Sequence, residues 1–400
     1  MNLNKIGRVH GKNILFLQGP MGDFFKQLEQ RFLAAGAQIY RIGFNVGDYF
    51  FSLKERYTPY RGTIEAWPAF VSSYMVDNQI DMIFLFGDCR YYQSTAIYAA
   101  KNLDIEVFVF EEGYIRPDYI TMERYGVNDY SRLPKDPNFY QGLELKVLVQ
   151  PKDSAHSGFK QGYSTIMYYL LGNLFSWRYP HYKHHRSFSA KQELYLLLRN
   201  MVRKVLYAYK ERHLLEKVEG DWSKRYFFVP LQTHNDFQIL QHSTYRSVET
   251  FIVDVLDSFG QYADDEMMLI FKHHPVDRGR KDYSPFICEK ATALGLHDRV
   301  KVLHDVYLPS LLKHARGTVT INSTVGLSSL YHNTPVITMG NAVYDISGLT
   351  ATEMGLKTFW RKQPEVDQEL YRRFKQYLIE NSQINGSFYG KLFLDEESYI

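Results

Sequence analysis

The sequence contains very little cysteine, since Cys89 and Cys288 are the only thiols among its 400 residues. Such a chain has neither a disulfide framework nor the thiolate set of a structural zinc site. Long apolar runs are also missing. No segment reaches the length of about eighteen apolar residues that a membrane span needs, and residues 1–10 lack the core of a secretion signal. The sequence therefore predicts a cytoplasmic protein whose contact with a membrane, if it has any, is peripheral.

Net charge is low as well, and +3 is too small to indicate a nucleic-acid partner on its own. The cations are nevertheless concentrated, because residues 151–218 contain twelve Lys or Arg against four Asp or Glu. Residues 177–186 mix aromatic side chains with cations, which suits an anionic lipid surface. Three interpretations of this segment are open: a solvated basic helical hairpin, a peripheral membrane contact, or an RNA contact.

Short apolar runs alternate with helical patterns on both sides of the basic segment. The predicted strands are residues 13–17, 38–44, 81–86 and 106–110 in the first half, and 226–230, 267–272, 301–303, 317–321 and 335–338 in the second. This alternation predicts an α/β fold with parallel sheets in two Rossmann-like domains that face a cleft.

The domain prediction has four parts. Residues 1–150 form an N-terminal Rossmann-like domain, and residues 151–220 form a helical basic and aromatic insertion. Residues 221–360 form a C-terminal Rossmann-like domain, and residues 361–400 form helices that pack back on the N-terminal domain.

Polar residues follow two of the apolar runs in the first half. Ligands of open α/β sheets bind beyond the carboxyl ends of the strands, so these residues are candidates for a site. Gln18 and the turn from Gly19 to Gly22 follow the first run. The turn either joins strand and helix tightly or contacts a substrate, and it matches no nucleotide-binding glycine motif.

Glu111 and Glu112 close another run of the first half. Adjacent carboxylates that leave a buried strand repel one another, so one of them can hold a proton near neutral pH and act as a general base or acid. A solvated pair of loop carboxylates is the alternative.

Phosphate-binding chemistry follows the runs of the second half. Lys272 precedes His274 and Pro275, and the proline holds His274 extended at the strand tip. Asn322, Ser323 and Thr324 come directly before a helical pattern, where hydroxyls and free amides suit an anion. A packed strand-end histidine and an ordinary helix cap are the competing interpretations.

A further polar segment runs from Gln232 through His234 to Asp236, directly after a predicted strand. It combines an amide, an imidazole and a carboxylate, which predicts a catalytic loop. Alternatively, Asp236 caps a short helix over residues 237–240.

These motifs, in this order, resemble the capsule polysaccharide KpsS/LipB family of bacterial β-Kdo transferases over nearly the whole chain. They are residues 18–20, 111–117, 232–236, 274–275 and 322–324. The resemblance implies a GT-B fold and the transfer of Kdo from CMP-Kdo to phosphatidylglycerol or its lyso form at the inner membrane. It also implies that the product starts the poly-Kdo linker of a capsule.

The same resemblance assigns roles to the residues. The C-terminal half would bind CMP through His274, Pro275, Lys272, Gln232 and the 322–324 segment. The N-terminal half would bind the acceptor, with Gln18, Gly19, Gly22 and Arg116 in its loops, and the basic insertion would meet the membrane.

Donor and product are both β in that family, so the reaction retains configuration and needs a carboxylate beneath the anomeric carbon. Asp236 is our choice for this carboxylate. Glu111 or Glu112 would deprotonate the acceptor hydroxyl, with His234 as a helper.

We expect no cofactor and no metal, since a CMP donor presents one phosphate and the chain offers no Asp-x-Asp turn after a strand. Nucleic acid is not an expected partner. The resemblance implies that a second Kdo transferase and the capsule export machinery are partners of the protein. Two other classes stay open: a transferase that uses another nucleotide sugar, and a non-catalytic capsule assembly or export factor.

Overall fold

The computed structural model describes residues 5–182, 190–234 and 243–394. Within these residues the chain forms two compact units. Unit 1 takes its residues from 1–132, 147–193 and 378–400, and unit 2 from 133–146 and 194–377. Both units are α/β with a largely or wholly parallel sheet, so the predicted α/β fold with two Rossmann-like domains is confirmed.

Unit 1 is built on a seven-stranded sheet in the order β12-β6-β5-β4-β1-β2-β3. Its strands are β1 (Asn13–Phe16), β2 (Gln38–Gly43), β3 (Tyr57–Pro59), β4 (Met82–Phe86), β5 (Glu106–Glu112), β6 (Tyr119–Arg124) and β12 (Gln383–Asn385). β1 to β5 are parallel to one another, whereas β6 pairs antiparallel with β5 and β12 pairs antiparallel with β6. The helices of unit 1 are α1 (Phe24–Ala34), α2 (Val46–Phe50), α3 (Trp67–Asp77), α4 (Tyr91–Asn102) and α6 (Gly158–Leu174).

The apolar runs of unit 1 are buried on both faces of the sheet, as parallel strands between two helix layers usually are. In β5, Phe108 and Phe110 pack into the core on the side of α1. Val107 and Val109 alternate with them and pack into the core on the side of α3 and α4. This two-sided burial fixes the register of β5, because a slip by one residue would exchange the two sets.

Unit 2 is built on a five-stranded parallel sheet in the order β11-β10-β7-β8-β9. Its strands are β7 (Tyr226–Pro230), β8 (Met268–Lys272), β9 (Val300–Leu303), β10 (Gly317–Thr320) and β11 (Val336–Thr338). Its helices are α5 (Pro137–Gln141), α8 (Leu214–Glu219), α9 (Val248–Tyr262), α10 (Ser284–Ala293), α11 (Leu308–His314), α12 (Val325–Tyr331) and α13 (Leu356–Phe359). Two longer helices, α7 (Ala190–Glu211) and α14 (Gln368–Ser382), run from one unit into the other.

The structure differs from the sequence predictions in three respects. Glu111 and Glu112 are the last residues of β5 and do not follow it, because the antiparallel partner β6 extends the pairing to Glu112. The 151–220 segment is not one compact body, since its residues divide between the units at position 193. Residues 133–146 lie in unit 2 and the described residues after 377 lie in unit 1, so each unit is discontinuous in sequence.

None of the helices that the structure describes is both long enough and apolar enough to cross a membrane.

Candidate functional site

The predicted site residues of unit 1 lie at the carboxyl edge of its sheet, after β1 and at or after the end of β5, with β4 between these two strands. The Phe86 amide donates to the Gln18 carbonyl (3.3 Å), and the Gly87 amide donates to the Phe110 carbonyl (2.9 Å). These bonds place the residues after β1, after β4 and at the end of β5 side by side. The structure therefore brings Gln18 and Glu111 to one edge.

The turn after β1 requires its glycines. A Cβ atom on Gly19 would lie 2.6 Å from the Phe25 ring, and Gly22 has a φ of +144° that other residues rarely adopt. The turn is thus held tightly against α1, which favours the structural interpretation of its glycines.

The amide of Gln18 points into a buried polar cluster and not to the surface. It donates to the Tyr168 hydroxyl (2.7 Å) and the Tyr182 hydroxyl (3.1 Å), and it lies 3.3 Å from a carboxylate oxygen of Asp48. Asp48 also accepts from the Phe44 amide (2.8 Å), and burial raises its pKa above the ordinary value. Gln18 therefore connects the end of β1 to α2 and α6, and a contact of its amide with an acceptor would require this cluster to open.

Glu111 has the electrostatics of a proton-exchanging group. Burial raises the pKa of its carboxyl to about 7, and the negative charges of Glu112 and Asp88 act in the same direction. Oε1 of Glu111 accepts from the Glu112 amide (2.9 Å), which opposes the shift and fixes the side chain. A carboxyl with this pKa takes up and releases protons near neutral pH, as a general base must.

The loop after β5 is shaped by close backbone contacts. A Cβ atom on Gly113 would lie 2.1 Å from the Tyr119 carbonyl, so only glycine fits there. Glu112 is exposed, and Arg116 folds back so that its Nε donates to the Gly113 carbonyl (3.3 Å). Arg116 therefore lies at the rim of the same edge.

The predicted site residues of unit 2 also lie beyond neighbouring strands. The Gln232 side chain, after β7, donates to Asn322 Oδ1 (3.0 Å) and accepts from the Asn322 amide (3.3 Å), and Asn322 follows β10. This reciprocal pair ties the loop after β7 to the loop after β10. Gln232 and Asn322 thereby order the backbone at the edge, in addition to any contact with a ligand.

His234 is held by a residue that the sequence analysis missed. Asp277 is 1% exposed, and its carboxylate accepts from both the His234 amide (2.7 Å) and His234 Nδ1 (2.7 Å). A neutral ring that donates from Nδ1 carries its proton-accepting lone pair on Nε2. The signal in the sequence was the position of Asp277, three residues after His274, but a lone aspartate in a loop has no pattern that distinguishes it.

Asp236, the predicted catalytic carboxylate, lies outside the described residues, as does the whole segment 235–242. The chain that leads to it is described up to His234. In this part of the chain, Gln232 is hydrogen-bonded to the loop after β10 and His234 to the loop after β8.

The residues around His274 divide into a partly exposed set and a buried set. His274 is partly exposed, its Nδ1 accepts from the Val276 amide (3.2 Å), and Pro275 is exposed. Lys272 is buried, and its ammonium group donates to the His304 carbonyl (2.6 Å). The structure thus gives Lys272 a contact inside unit 2, and His274 and Pro275 remain at the edge.

Ser323 and Thr324 come directly before α12, and both are partly exposed. The Val325 amide donates to the Ser323 hydroxyl (3.3 Å), while Thr324 at the cap position makes no capping hydrogen bond with its side chain. The Tyr344 hydroxyl donates to the Ser323 carbonyl (2.5 Å) and would collide with any Cβ on Gly326. This packing fixes the turn that presents both hydroxyls.

One group of the described residues has the composition of a metal site: His273, His304 and Asp282, with donor atoms within 4.8 Å of one another. The two imidazole rings are stacked, with centroids 4.8 Å apart and planes at 5°. An ion between stacked rings would lie outside both ring planes, where nitrogen lone pairs do not point. His273 Nε2 also accepts from the Tyr283 amide (3.0 Å). The arrangement suits a buried hydrogen-bonded stack better than a cation.

An open cavity of about 440 Å³ lies after β11, at the same edge of the unit 2 sheet. It is lined mainly by hydroxyl, amide and carboxylate side chains: Ser243, Thr244, Thr338, Met339, Gly340, Asn341 and Asp345. Asp345 accepts from the Thr350 hydroxyl (2.6 Å), which orients its carboxylate.

Comparison with known proteins identifies the family. Residues 81–389 match the family described as "Capsule polysaccharide biosynthesis protein". The chain belongs to this family. The resemblance indicated by the motifs is therefore confirmed.

Relatives match over nearly their whole length. The chain is 39% identical to the Capsule polysaccharide export protein KpsS of Escherichia coli, over 95% of this chain and 97% of the relative. It is 37% identical to the Capsule polysaccharide modification protein LipB of Neisseria meningitidis serogroup A, over 97% of this chain and 94% of the relative.

Among solved structures, the chain is similar to the Thermosulfurimonas dismutans KpsC, a beta Kdo 2,7 transferase, at a TM-score of 0.41 and 13% identity, covering 91% of this chain and 89% of that one. It is also similar to the S. aureus MnaA-UDP structure, at a TM-score of 0.32 and 11% identity, covering 95% of this chain and 93% of that one.

Proposed function

We propose that this capsule polysaccharide biosynthesis protein is a retaining β-Kdo transferase. It moves Kdo from CMP-Kdo to a phosphatidylglycerol-type lipid, which starts the poly-Kdo linker of a capsule. The observation that carries the proposal is that the chain leading to Asp236 is held in place by hydrogen bonds. Gln232 binds Asn322, and His234 binds Asp277. A chain that is fixed up to two residues before Asp236 limits the positions that its carboxylate can take, as displacement at an anomeric carbon requires.

In the proposed donor half-reaction, the Asp236 carboxylate attacks the anomeric carbon of Kdo as the bond to the CMP phosphate breaks. CMP leaves with the bonding electrons, and a Kdo ester of Asp236 remains. His274 and the Ser323 and Thr324 hydroxyls stabilise the departing phosphate. Their partly exposed positions at the carboxyl edge of unit 2 support this assignment.

In the proposed acceptor half-reaction, the lipid hydroxyl attacks the same carbon from the opposite face and releases Asp236. The two inversions together retain the β configuration. Glu111 takes the hydroxyl proton, a role that its pKa of about 7 supports. Glu112 is the alternative base, and His234 assists through Nε2.

The proposal also includes the location and partners of the protein. It works in the cytoplasm on the inner-membrane surface, beside a second Kdo transferase and the capsule export machinery. Neither half-reaction contains a metal ion or a cofactor.

The test incubates the purified full chain with CMP-Kdo generated in situ and a fluorescent phosphatidylglycerol, with mass spectrometry as the readout. The expected result is addition of one Kdo and release of CMP. Asp236→Ala should abolish product formation, whereas Asp257→Ala, on the helix α9, should not.

Two outcomes would overturn the proposal. Transfer from a UDP-sugar in place of CMP-Kdo would indicate a transferase with a different donor. Absence of product and of CMP release with several lipid acceptors, together with normal capsule assembly by Asp236→Ala and His274→Ala in cells, would indicate a non-catalytic assembly or export factor.

A further inference from the structure

An exposed apolar face runs along α6 of unit 1 and into the turn that follows it. Six side chains at three- and four-residue steps form this surface, which we name the α6 face: Phe159, Tyr163, Ile166, Leu170, Leu174 and Trp177. Each is between 45% and 86% exposed. The spacing places the first five on one side of α6, and Trp177 lies in the turn that follows the helix.

The opposite side of α6 is fixed in the interior of unit 1. Tyr168 and Tyr169 are buried against Phe51. The Tyr168 hydroxyl accepts from Gln18 (2.7 Å) and from Asn45 (2.6 Å), and it donates to Asp48 (3.0 Å). The helix therefore cannot rotate about its axis to bury the α6 face without breaking these hydrogen bonds. An exposed apolar surface of this kind marks an interaction site.

The charge around the α6 face indicates what it contacts. The sequence from residue 154 to residue 192 contains no Asp or Glu and five Lys or Arg. Lys160 is paired with Asp23 (3.0 Å), and Arg178 lies 5.5 Å from the centre of the Trp177 ring. Arg61 adds a further cation, 5.9 Å from the centre of the Tyr179 ring. An apolar stripe with aromatic side chains at its ends, in a sequence segment that has cations and no acidic residue of its own, is complementary to anionic phospholipid.

We propose that the α6 face lies in the interfacial layer of an anionic phospholipid bilayer, with α6 parallel to the membrane plane. The helix is about 25 Å long, which allows its five apolar side chains to enter the acyl boundary together, with Trp177 in the turn beyond its end. The proposal rests on the proposed function in so far as a lipid acceptor must be reached at a membrane surface. The contact itself is independent of the donor and of the chemistry.

The experiment measures the binding of the full-length protein to vesicles. Flotation with vesicles of equal parts phosphatidylglycerol and phosphatidylcholine is compared with flotation with phosphatidylcholine alone. Ile166→Glu and, separately, Leu170→Glu should lower the partition coefficient for the anionic vesicles by about tenfold or more, because each replaces an apolar side chain that enters the lipid with a negative charge that the anionic lipid repels. Val76→Glu is the matched control, since Val76 is an equally exposed aliphatic residue on the helix α3 of the same unit (57%, against 51% for Ile166).

Three results would overturn the proposal. One is equal vesicle binding by wild type, Ile166→Glu and Val76→Glu. Another is failure of the wild type to bind anionic vesicles at all. The third is an oligomeric wild type that Ile166→Glu dissociates in size-exclusion chromatography with light scattering, since a second copy would then cover the α6 face.

CMP release with a short-chain phosphatidylglycerol in detergent solution separates this proposal from the proposed function. Loss of vesicle binding by Ile166→Glu with unchanged CMP release supports the membrane contact and the transferase together. Vesicle binding that depends on Ile166, in a protein that releases no CMP, supports the contact while the transferase proposal fails. CMP release without vesicle binding by the wild type leaves the transferase standing and removes the membrane contact.

Discussion

At the scale of single residues, Glu111 and Glu112 are neighbours in sequence with different surroundings. Burial raises the pKa of the Glu111 carboxyl to about 7, and the neighbouring acidic groups add to the shift. Glu112 is exposed at the end of the same strand. Alternation along β5 causes the difference, because successive side chains point to opposite faces of the sheet. The two residues can therefore be separated experimentally.

We predict that Glu111→Gln lowers the rate of Kdo transfer by about 10² to 10⁴-fold, because the amide cannot accept the hydroxyl proton. In the wild type, activity should rise as the pH increases through about 7, since the base works only when its carboxyl is deprotonated. This rise should be missing in Glu111→Gln. The measurement is initial rate against pH from 5.5 to 8.5 with CMP-Kdo and a soluble lipid acceptor.

Glu112→Gln is the matched variant for this prediction, and it should keep the rise near neutral pH. If Glu112→Gln removes the rise while Glu111→Gln retains it, the base is Glu112 and the assignment to Glu111 is wrong.

Residue identity alone predicted the positions of Glu111 and His274 at sheet edges, because both end apolar runs. It did not predict which polar side chains turn inward. Lys272 resembles a phosphate ligand in sequence, but its ammonium group is satisfied by the His304 carbonyl. Asp277 resembles an ordinary loop residue, but it is buried and holds His234. Such partners are brought together by the fold, and local sequence contains no information about them.

At the scale of elements, the end of α7 is joined to the end of β9 by one carboxylate. Glu211 accepts from the His304 amide (2.9 Å), the Asp305 amide (2.7 Å) and His304 Nδ1 (3.0 Å). Burial alone would raise the pKa of Glu211, but these hydrogen bonds outweigh it and lower the pKa below its ordinary value. The His304 ring is in turn stacked between Tyr207 of α7 and His273.

We predict that Glu211→Ala lowers the free energy of unfolding by about 2–4 kcal/mol, because several charge-assisted hydrogen bonds are lost and two amides are left without a partner. A lowered pKa in the folded state stabilises the protein above the ordinary value of 4.5, so the difference from wild type should shrink as the pH falls below it. Urea denaturation at pH 7 and pH 4 measures both effects.

Glu216→Ala is the control, since Glu216 is an exposed residue of the next helix, α8, and its replacement should change stability by no more than about 0.5 kcal/mol. Equal stability of wild type and Glu211→Ala at pH 7 would show that the link between α7 and β9 contributes nothing.

Strands were most clearly predictable where both faces are buried. The apolar runs of β4, β5, β7 and β8 identified these strands to within about two residues, because parallel strands between helix layers leave no polar face. The short strand β3, together with β6 and β12, was missed. β6 contains Thr121 and Glu123, and β12 is only three residues long and largely polar. Both are antiparallel additions whose pairing depends on residues distant in sequence.

At the scale of the whole molecule, the predicted chemistry divides between two units with their own sheets. Unit 2 carries the loops that the proposed function assigns to CMP, and unit 1 carries the carboxylate pair. Binding of the nucleotide should therefore affect the two units unequally.

We predict that CMP slows backbone hydrogen exchange in residues 231–234, 272–278 and 322–326, and leaves residues 107–113 unchanged. Amides of the phosphate-binding loops become ordered around the bound anion, whereas the β5 edge meets only the acceptor. Hydrogen-exchange mass spectrometry with and without CMP is the measurement, and UMP at the same concentration is the control for the base. Protection confined to residues 107–113, or equal protection by UMP, would contradict the assignment.

The pairing of β12 with β6 has a consequence for the order in which the protein is made. The Gln383 side chain donates to the Thr121 hydroxyl (3.0 Å), and the two residues are 262 positions apart in the chain. Without β12, the strand β6 would be an unpaired edge strand of the sheet. At about 5–20 residues per second, a ribosome needs roughly 13–50 s to travel from one to the other. During that interval the edge of the nascent sheet has unpaired amides and carbonyls, which can pair with strands of other chains. Synthesis of residues 383–385, and not the emergence of the N-terminal half, is therefore the event that closes this sheet.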